Sequence, residues 1–209
     1  MPKTAPFDNN FPEYEQWFDD HHFAFLSEIE AIRKVLPSKG RGVEIGVGSG
    51  LFASALGIKE GCDPSANMRA KAIERGINAI EGIAENLPYE DESIDFTVMV
   101  TTICFVDDAR KTFQEIKRIL KPGGEVIVAF VDKNSPVGKL YLRGKEKSLF
   151  YKDANFFSTE DIYKLLWDSD FTNEQTCQTI FGALDDIKEI QQPENGSGKG
   201  SFVIIKAKR

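Results

Sequence analysis

A strand that runs into glycines at every second position constrains this chain most. Val43, Glu44 and Ile45 form a short apolar run with one acid inside it, and Gly46, Gly48 and Gly50 follow before a helical segment at Leu51–Leu56. Glycine admits left-handed backbone and lets a ligand lie against bare main chain. The helix start beyond it offers unpaired N–H groups and partial positive charge. The chain must therefore contain a strand–loop–helix unit, the building block of a parallel α/β sheet.

The rest of the pattern repeats that unit. Ile58–Cys62, Ile77–Glu81, Ile94–Thr101 and Glu125–Val131 read as further strands, and Ala66–Arg75 and 108–120 as helices between them. The nearly continuous apolar run of the fourth strand is what a parallel strand covered on both faces needs. The segment Lys121–Gly124 reads as the stop between helix and fifth strand. Residues 132–157 read as irregular. Ser158 opens a helix with Asp161 three positions on, and Phe157 with Ile162 can staple it. Two strands near 172–181 and 201–207 have no helix between them, which predicts an antiparallel pair at one edge. The stretch 191–200 reads as a flexible connection. Ahead of the core, residues 13–36 predict one helix, with Trp17, Phe18, Phe25, Leu26, Ile29, Ile32 and Leu36 on one stripe.

Composition limits the function classes. The 209 residues carry 26 Lys+Arg against 33 Asp+Glu, a net charge of −7, a poor match to nucleic acid. No apolar run is long enough for a membrane span, and the first residues show no secretory core. Cys62, Cys104 and Cys177 are scattered and odd in number, against a disulfide framework or zinc cluster, which predicts a reducing cytoplasm.

Three ligand classes compete for the glycine loop. A dinucleotide fingerprint needs glycine at 51, where Leu51 stands, and a Walker loop around Gly198 and Lys199 fails at Pro193 and Gly200. The pattern Glu44-x-Gly46-x-Gly48-x-Gly50 fits a G-x-G-x-G loop with an acid in the strand. Asp63, 17 residues after Gly46, stands at the end of the next strand. A carboxylate there accepts two bonds from a ribose diol and repels a 2′-phosphate. A plain strand-to-helix turn is the alternative for the glycines alone.

With those residues the sequence resembles the class I S-adenosylmethionine-dependent methyltransferases, in particular the small methyltransferase type 11 branch related to the ubiquinone and menaquinone enzymes. The resemblance covers residues 40 to 131. It rests on the glycine loop, on Glu81–Tyr89, on Glu92–Phe96 and on Arg118–Gly124, in order. It implies a Rossmann-like, doubly wound α/β sheet of seven strands, order 3-2-1-4-5-7-6 with strand 7 antiparallel, and S-adenosylmethionine as cofactor. It divides a single domain 1–209 into an N-terminal helical lid (1–39), a cofactor core (40–131), an acceptor-side insertion (132–157) and a closing helix with the terminal strands (158–209). It places Gly46, Gly48 and Gly50 along the methionine moiety, with Glu44 ordering the loop and Phe52 on the helix beyond. Asp63 takes the ribose. Pro64, Ser65, Met68, Ala84 and Glu85 flank the adenine, and Thr101 lies near the transferred methyl. Tyr14 and Trp17 cover the cofactor from the lid or, alternatively, simply dock their helix on the core. Ile83 stands where relatives have an aspartate, and Phe105 where they often have a histidine.

The implied reaction is displacement at a sulfonium, which needs positioning more than an activated nucleophile. No catalytic base is evident. His21 and His22 are candidates, with a solvent-facing role as the alternative. Asp107 and Asp108 read as helix caps and Cys104 as core filler. Asp132 and Asn134 have the wrong spacing for a metal site, so no metal is expected. The aromatics and lysines of 132–157 suggest a small-molecule acceptor with an apolar body and polar or anionic groups. A noncatalytic cofactor-binding protein, a protein or RNA methyltransferase and a nucleotide-linked oxidoreductase are the alternatives.

Overall fold

The computed structural model describes residues 4–209; the first three residues of the polar start lie outside it. Five strands follow in parallel: β1 (Gly42–Ile45), β2 (Glu60–Asp63), β3 (Asn78–Glu81), β4 (Ile94–Val100) and β5 (Leu120–Val131). They are completed by β6 (Thr172–Thr179), β7 (Glu194–Asn195) and β8 (Phe202–Lys208). The sheet order is β3-β2-β1-β4-β5-β8-β6-β7. Without the two-residue edge strand β7, this is the expected seven-strand order. β8 runs antiparallel to both β5 and β6.

Period-two alternation splits the core between two faces. On β5, Val126, Val128 and Phe130 join one apolar cluster, and Ile127 and Ala129 the other. The first cluster is covered by α6 (Ala109–Ile119) through Phe113, Ile116 and Ile119, and by α8 (Thr159–Asp168) through Ile162 and Leu166. The second is covered by α3 (His22–Val35), α4 (Leu51–Leu56) and α5 (Ala66–Glu74). Ser158 and Asp161 form the expected capping box of α8, with Phe157 and Ile162 in one cluster.

Four local expectations are corrected. The helix over 13–36 is two, α2 (Phe11–Asp20) and α3, broken at His21 (φ −114°, ψ 40°), with α1 (Ala5–Asn9) ahead of them. Asp19 and Asp20 place negative charge at the C-terminal end of α2, where the helix dipole disfavours it. A single break leaves the apolar stripe nearly in phase, so periodicity did not reveal it. The run Lys121–Gly124 does not precede β5 but bulges out of it, because Ile94 pairs with Leu120 and Phe96 with Glu125. Residues 132–157 contain a helix, α7 (Pro136–Gly144), which Ser135 caps by accepting the Gly138 N–H. The 191–200 stretch is tied down, with the Gln191 side chain bonded both ways to the Phe181 backbone and Gln178 Oε1 accepting from the backbone of Lys199 and Gly200.

Phe113 is fully buried between α6 and the sheet. We predict that Phe113→Ala lowers unfolding free energy by about 3–5 kcal/mol, read from urea titrations, through lost burial and the cavity left behind.

Candidate active site

Strand β1 leaves the sheet at Gly46, whose backbone is left-handed (φ 70°). A Cβ there would lie 2.3 Å from Thr102 Oγ1, so only glycine lets the loop pass the end of β4. Gly48 is also left-handed (φ 53°) and faces the Tyr14 hydroxyl. Its N–H donates to Asp63 Oδ2 at 2.9 Å, and the Ser65 N–H donates to Asp63 Oδ1 at 2.8 Å. Ser65 in turn caps α5 by accepting the Met68 N–H. One carboxylate thus fixes the glycine loop and the start of the next helix. Asp63 is 9% exposed, and burial raises its pKa above the usual carboxylate range while the two N–H donors oppose the rise.

These elements wall a cavity of about 460 Å³, in the range of small-molecule and cofactor sites. Gly46, Gly48, Asp63, Pro64, Ser65 and Met68 form one side; Ala84, Glu85 and Thr101 line the other. Ile83 lies on the wall as well. Glu85 Oε1 also accepts from the backbone of Asp107 and Asp108, and Asp108 caps α6. Thr101 has a left-handed backbone (φ 51°), unusual for a β-branched residue and a mark of local strain. Glu44 and Gly50 lie behind the wall rather than on it. Gly50 packs against Ala72. Glu44 is buried beneath the loop, its pKa raised well above normal by burial, with Oε2 unpartnered among the described residues.

The N-terminal segment covers this cavity. Thr4, Phe7 and Tyr14 line it. Asp8 accepts from Ser65 Oγ, and Asn67 donates to the Asp8 carbonyl at 3.1 Å. Ser49 Oγ donates to Glu15 at 2.6 Å, and Arg75 pairs with Glu15 while donating to the Ser49 carbonyl at 2.7 Å. No residue of α1 or α2 is fully buried, whereas α3 buries seven.

A second, smaller cavity of about 140 Å³ shares Phe7, Tyr14, Thr101 and Phe105 with the first. Trp17 and Phe52, expected at the cofactor, line this second cavity instead. Tyr141 from α7 stacks on Tyr151 at 5.0 Å between centroids, and Phe150 packs against Phe7 at 5.4 Å. The lysines of the 132–157 segment do not line it. His21 and His22 line neither cavity; His21 Nδ1 lies 3.0 Å from the Trp17 carbonyl. Cys104 is buried with Sγ 2.9 Å from the Thr101 carbonyl, as filler would be. Asp132 accepts from the Thr159 N–H and hydroxyl and from the Asn134 N–H, which gives it a structural task.

Sequence reading passed over Glu28, which lines the second cavity from α3 and is 5% exposed. The signal was present: Glu28 falls on the buried stripe with Ala24, Ala31, Ile32 and Val35. Among the described residues no hydrogen bond or ion pair reaches its carboxyl. Burial pushes its pKa up from the usual 4.5 to about 8.

The charges on the walls test which ligand fits. The first cavity holds Asp63, Glu85, Asp107 and Asp108 against Lys111, with Glu44 just behind it. That balance suits a cationic ligand with ribose hydroxyls and an ammonium group, and opposes a pyrophosphate. The fold is that of an S-adenosylmethionine-dependent methyltransferase. Residues 43–128 match the family profile described as a methyltransferase domain. The chain is 48% identical to a Thermotoga maritima crystal structure described as an S-adenosylmethionine-dependent methyltransferase, possible histamine N-methyltransferase. That match covers 98% of this chain and 99% of the other, with a TM-score of 0.96. The chain is also 42% identical over 203 residues to an uncharacterised protein of Methanocaldococcus jannaschii, covering 97% of this chain and 98% of that one. With phosphatidylethanolamine N-methyltransferase of Cereibacter sphaeroides it shares 26% identity, over 94% of this chain and 95% of that enzyme. The chain belongs to the S-adenosylmethionine-dependent methyltransferase family, and its cofactor is S-adenosylmethionine. No helix among the described residues is long and apolar enough to cross a membrane.

Glu28 also predicts a stability signature. Between about pH 4.5 and 8 the unfolded chain ionises this carboxyl while the folded chain keeps it protonated, so it weighs against folding increasingly as pH rises. Glu28→Gln lacks this dependence. Its stability relative to wild type is expected to grow by about 1.4 kcal/mol per pH unit across that window and level off above it, in denaturant titrations.

Proposed function

We propose that the chain transfers the methyl group of S-adenosylmethionine to a small-molecule acceptor held in the aromatic cavity. The observation that carries this reading is the meeting of two cavities at Thr101, Phe105, Phe7 and Tyr14, one with the buried carboxylate of Asp63 on its wall and the other walled by rings. When bound, S-adenosylmethionine supplies a methyl group on a sulfonium, attached to a good leaving group. Gly46 and Gly48 give the methionine moiety bare backbone to lie on, and Glu44 supports the loop from behind the wall. Asp63 takes the ribose hydroxyls with the lone pairs its two N–H donors leave open. Pro64, Ser65, Met68, Ala84 and Glu85 flank the adenine, and Thr101 stands at the junction. Phe7 and Tyr14 close the junction and exclude water, which keeps the acceptor as the nucleophile.

In this reading residues 1–39 cap the site, 40–131 hold the cofactor, 132–157 face the acceptor and 158–209 complete a single domain. The enzyme is cytoplasmic, in keeping with three buried cysteines. A cavity of 140 Å³ enclosed by rings favours a small acceptor over a protein or RNA.

Calorimetry on wild type and Asp63→Ala tests the cofactor assignment. S-adenosylmethionine and S-adenosylhomocysteine are expected to bind wild type at micromolar concentration, and the variant roughly 10- to 100-fold more weakly, the loss of hydrogen bonds to a charged group. Transfer of labelled methyl to a panel of phenols, thiols, carboxylates and amines tests the reaction. Binding without transfer to any of them would instead indicate a noncatalytic cofactor-binding protein.

A further inference from the structure

The second cavity holds a carboxyl that has no partner among the described residues. Glu28 projects from the buried face of α3 into a space walled by Trp17, Phe52, Tyr141, Phe150 and Tyr151. Burying a carboxyl without a hydrogen bond is costly, and an apolar side chain would pack there at no such cost. A group that is expensive for the fold and aimed into a cavity is complete only with a ligand that donates to it.

The walls say which ligand. Among the described residues the charged groups lining this cavity are Glu13 and Glu28, both acidic, and no lysine, arginine or histidine lines it. An anionic acceptor would meet repulsion and no donor of positive charge. The remaining walls are largely aromatic, and ring faces attract cations. A carboxylate among rings is a site for an ammonium group with an apolar body. The volume of about 140 Å³ is close to that of a cavity of roughly 150 Å³ that takes up benzene, so a single ring or a short chain fits.

We propose that the methyl acceptor is a small primary or secondary amine, and that Glu28 binds its ammonium group and removes the proton that blocks the nitrogen lone pair. This rests on the reading of the chain as a methyltransferase of small molecules. The amine arrives protonated, and one N–H proton passes to the Glu28 carboxylate. The freed lone pair forms the N–C bond as the C–S bond breaks, its electron pair remaining on sulfur. The product is the methylated ammonium and a thioether, and the Glu28 proton leaves to water. General-base help is needed here because an ammonium has no lone pair, unlike a thiolate or a phenolate.

The groups around Glu28 leave this titration to it. Tyr141 on α7 and Tyr151 in the turn after it face Glu28, and burial holds both hydroxyls protonated far above neutral pH. Tyr14 on α2 is likewise held neutral by burial, and Glu13 on α2 is exposed. The pKa of about 8 places Glu28 close to the working range of a base that takes a proton from an amine.

The test pairs binding with turnover on the full chain. By calorimetry without cofactor, 2-phenylethylamine is compared with 2-phenylethanol and 3-phenylpropionate, on wild type and Glu28→Gln. The amine is expected to bind wild type at least tenfold more tightly than either, and Glu28→Gln to abolish the preference. In methyl transfer, Glu28→Gln is expected to lose about 100-fold or more in kcat/KM for the amine, with unchanged affinity for S-adenosylhomocysteine. Wild-type kcat/KM should rise with pH and level off near 8, where free Glu28 ionises, whereas the variant, which can use only amine that is already neutral, should keep rising past that point. Equal binding of the three probes, preference for the anion, or a break near pH 8 kept in Glu28→Gln would overturn the proposal. If no acceptor of any class is methylated, the methyltransferase reading fails, and the calorimetric comparison alone decides whether Glu28 is an ammonium site.

Discussion

The structure depends on what Asp63 does with its two oxygens. One accepts from the turn that follows β1, the other from the residue that caps α5. Parallel strands leave their carboxyl ends open, and ligands bind in the crevice where the connections diverge. Here a single carboxylate spans that crevice and fixes both of its sides. Its burial is tolerated because backbone N–H groups replace water, and its remaining lone pairs still face the cavity.

The glycine loop and the N-terminal segment build on that fixed point. Gly46 passes Thr102 at a distance no side chain allows, and this brings the loop onto the cavity wall. Asp8 and Glu15 then fasten α1 and α2 to Ser65, Ser49 and Arg75, on the two elements that Asp63 joins. The segment that covers the larger cavity is thereby held by polar contacts at its rim and by ring contacts of Phe7, Tyr14 and Phe18. Its rings, above all Phe7 and Tyr14, form the boundary between the two cavities. Both cavities are acidic, which matches a cationic cofactor on one side and, as proposed, a cationic acceptor on the other.

Much of this was legible in the sequence where the determinant was local. The alternation of strands and helices, the glycine spacing and Asp63 at the end of β2 each lie within a few residues of what they organise. The break at His21 was hidden because it leaves the apolar stripe nearly in phase, the bulge at Lys121–Gly124 because pairing with β4 sets it, and α7 carried only the short local signal of Ser135 before Pro136. Trp17 and Phe52 show the limit from another direction. Their aromatic character was plain, but which cavity they line depends on where α2 and α4 dock. Glu28 was the most consequential omission. Its place on the apolar stripe of α3 was visible in the sequence, but that it faces an aromatic cavity depends on where Tyr141, Phe150 and Tyr151 lie. The lysines of the same segment misled in the opposite sense. They suggested an anionic acceptor, yet none of them reaches the cavity.

As proposed, cofactor and amine meet across the ring boundary, anchored by Asp63 on one side and Glu28 on the other. A crystal structure of the protein with S-adenosylhomocysteine and 2-phenylethylamine tests it most directly. Ribose hydroxyls on Asp63 and the amine nitrogen within hydrogen-bond distance of Glu28 are expected, with the nitrogen facing the sulfur past Thr101. An amine bound elsewhere, or one lying among the rings with its nitrogen turned away from Glu28, would contradict it.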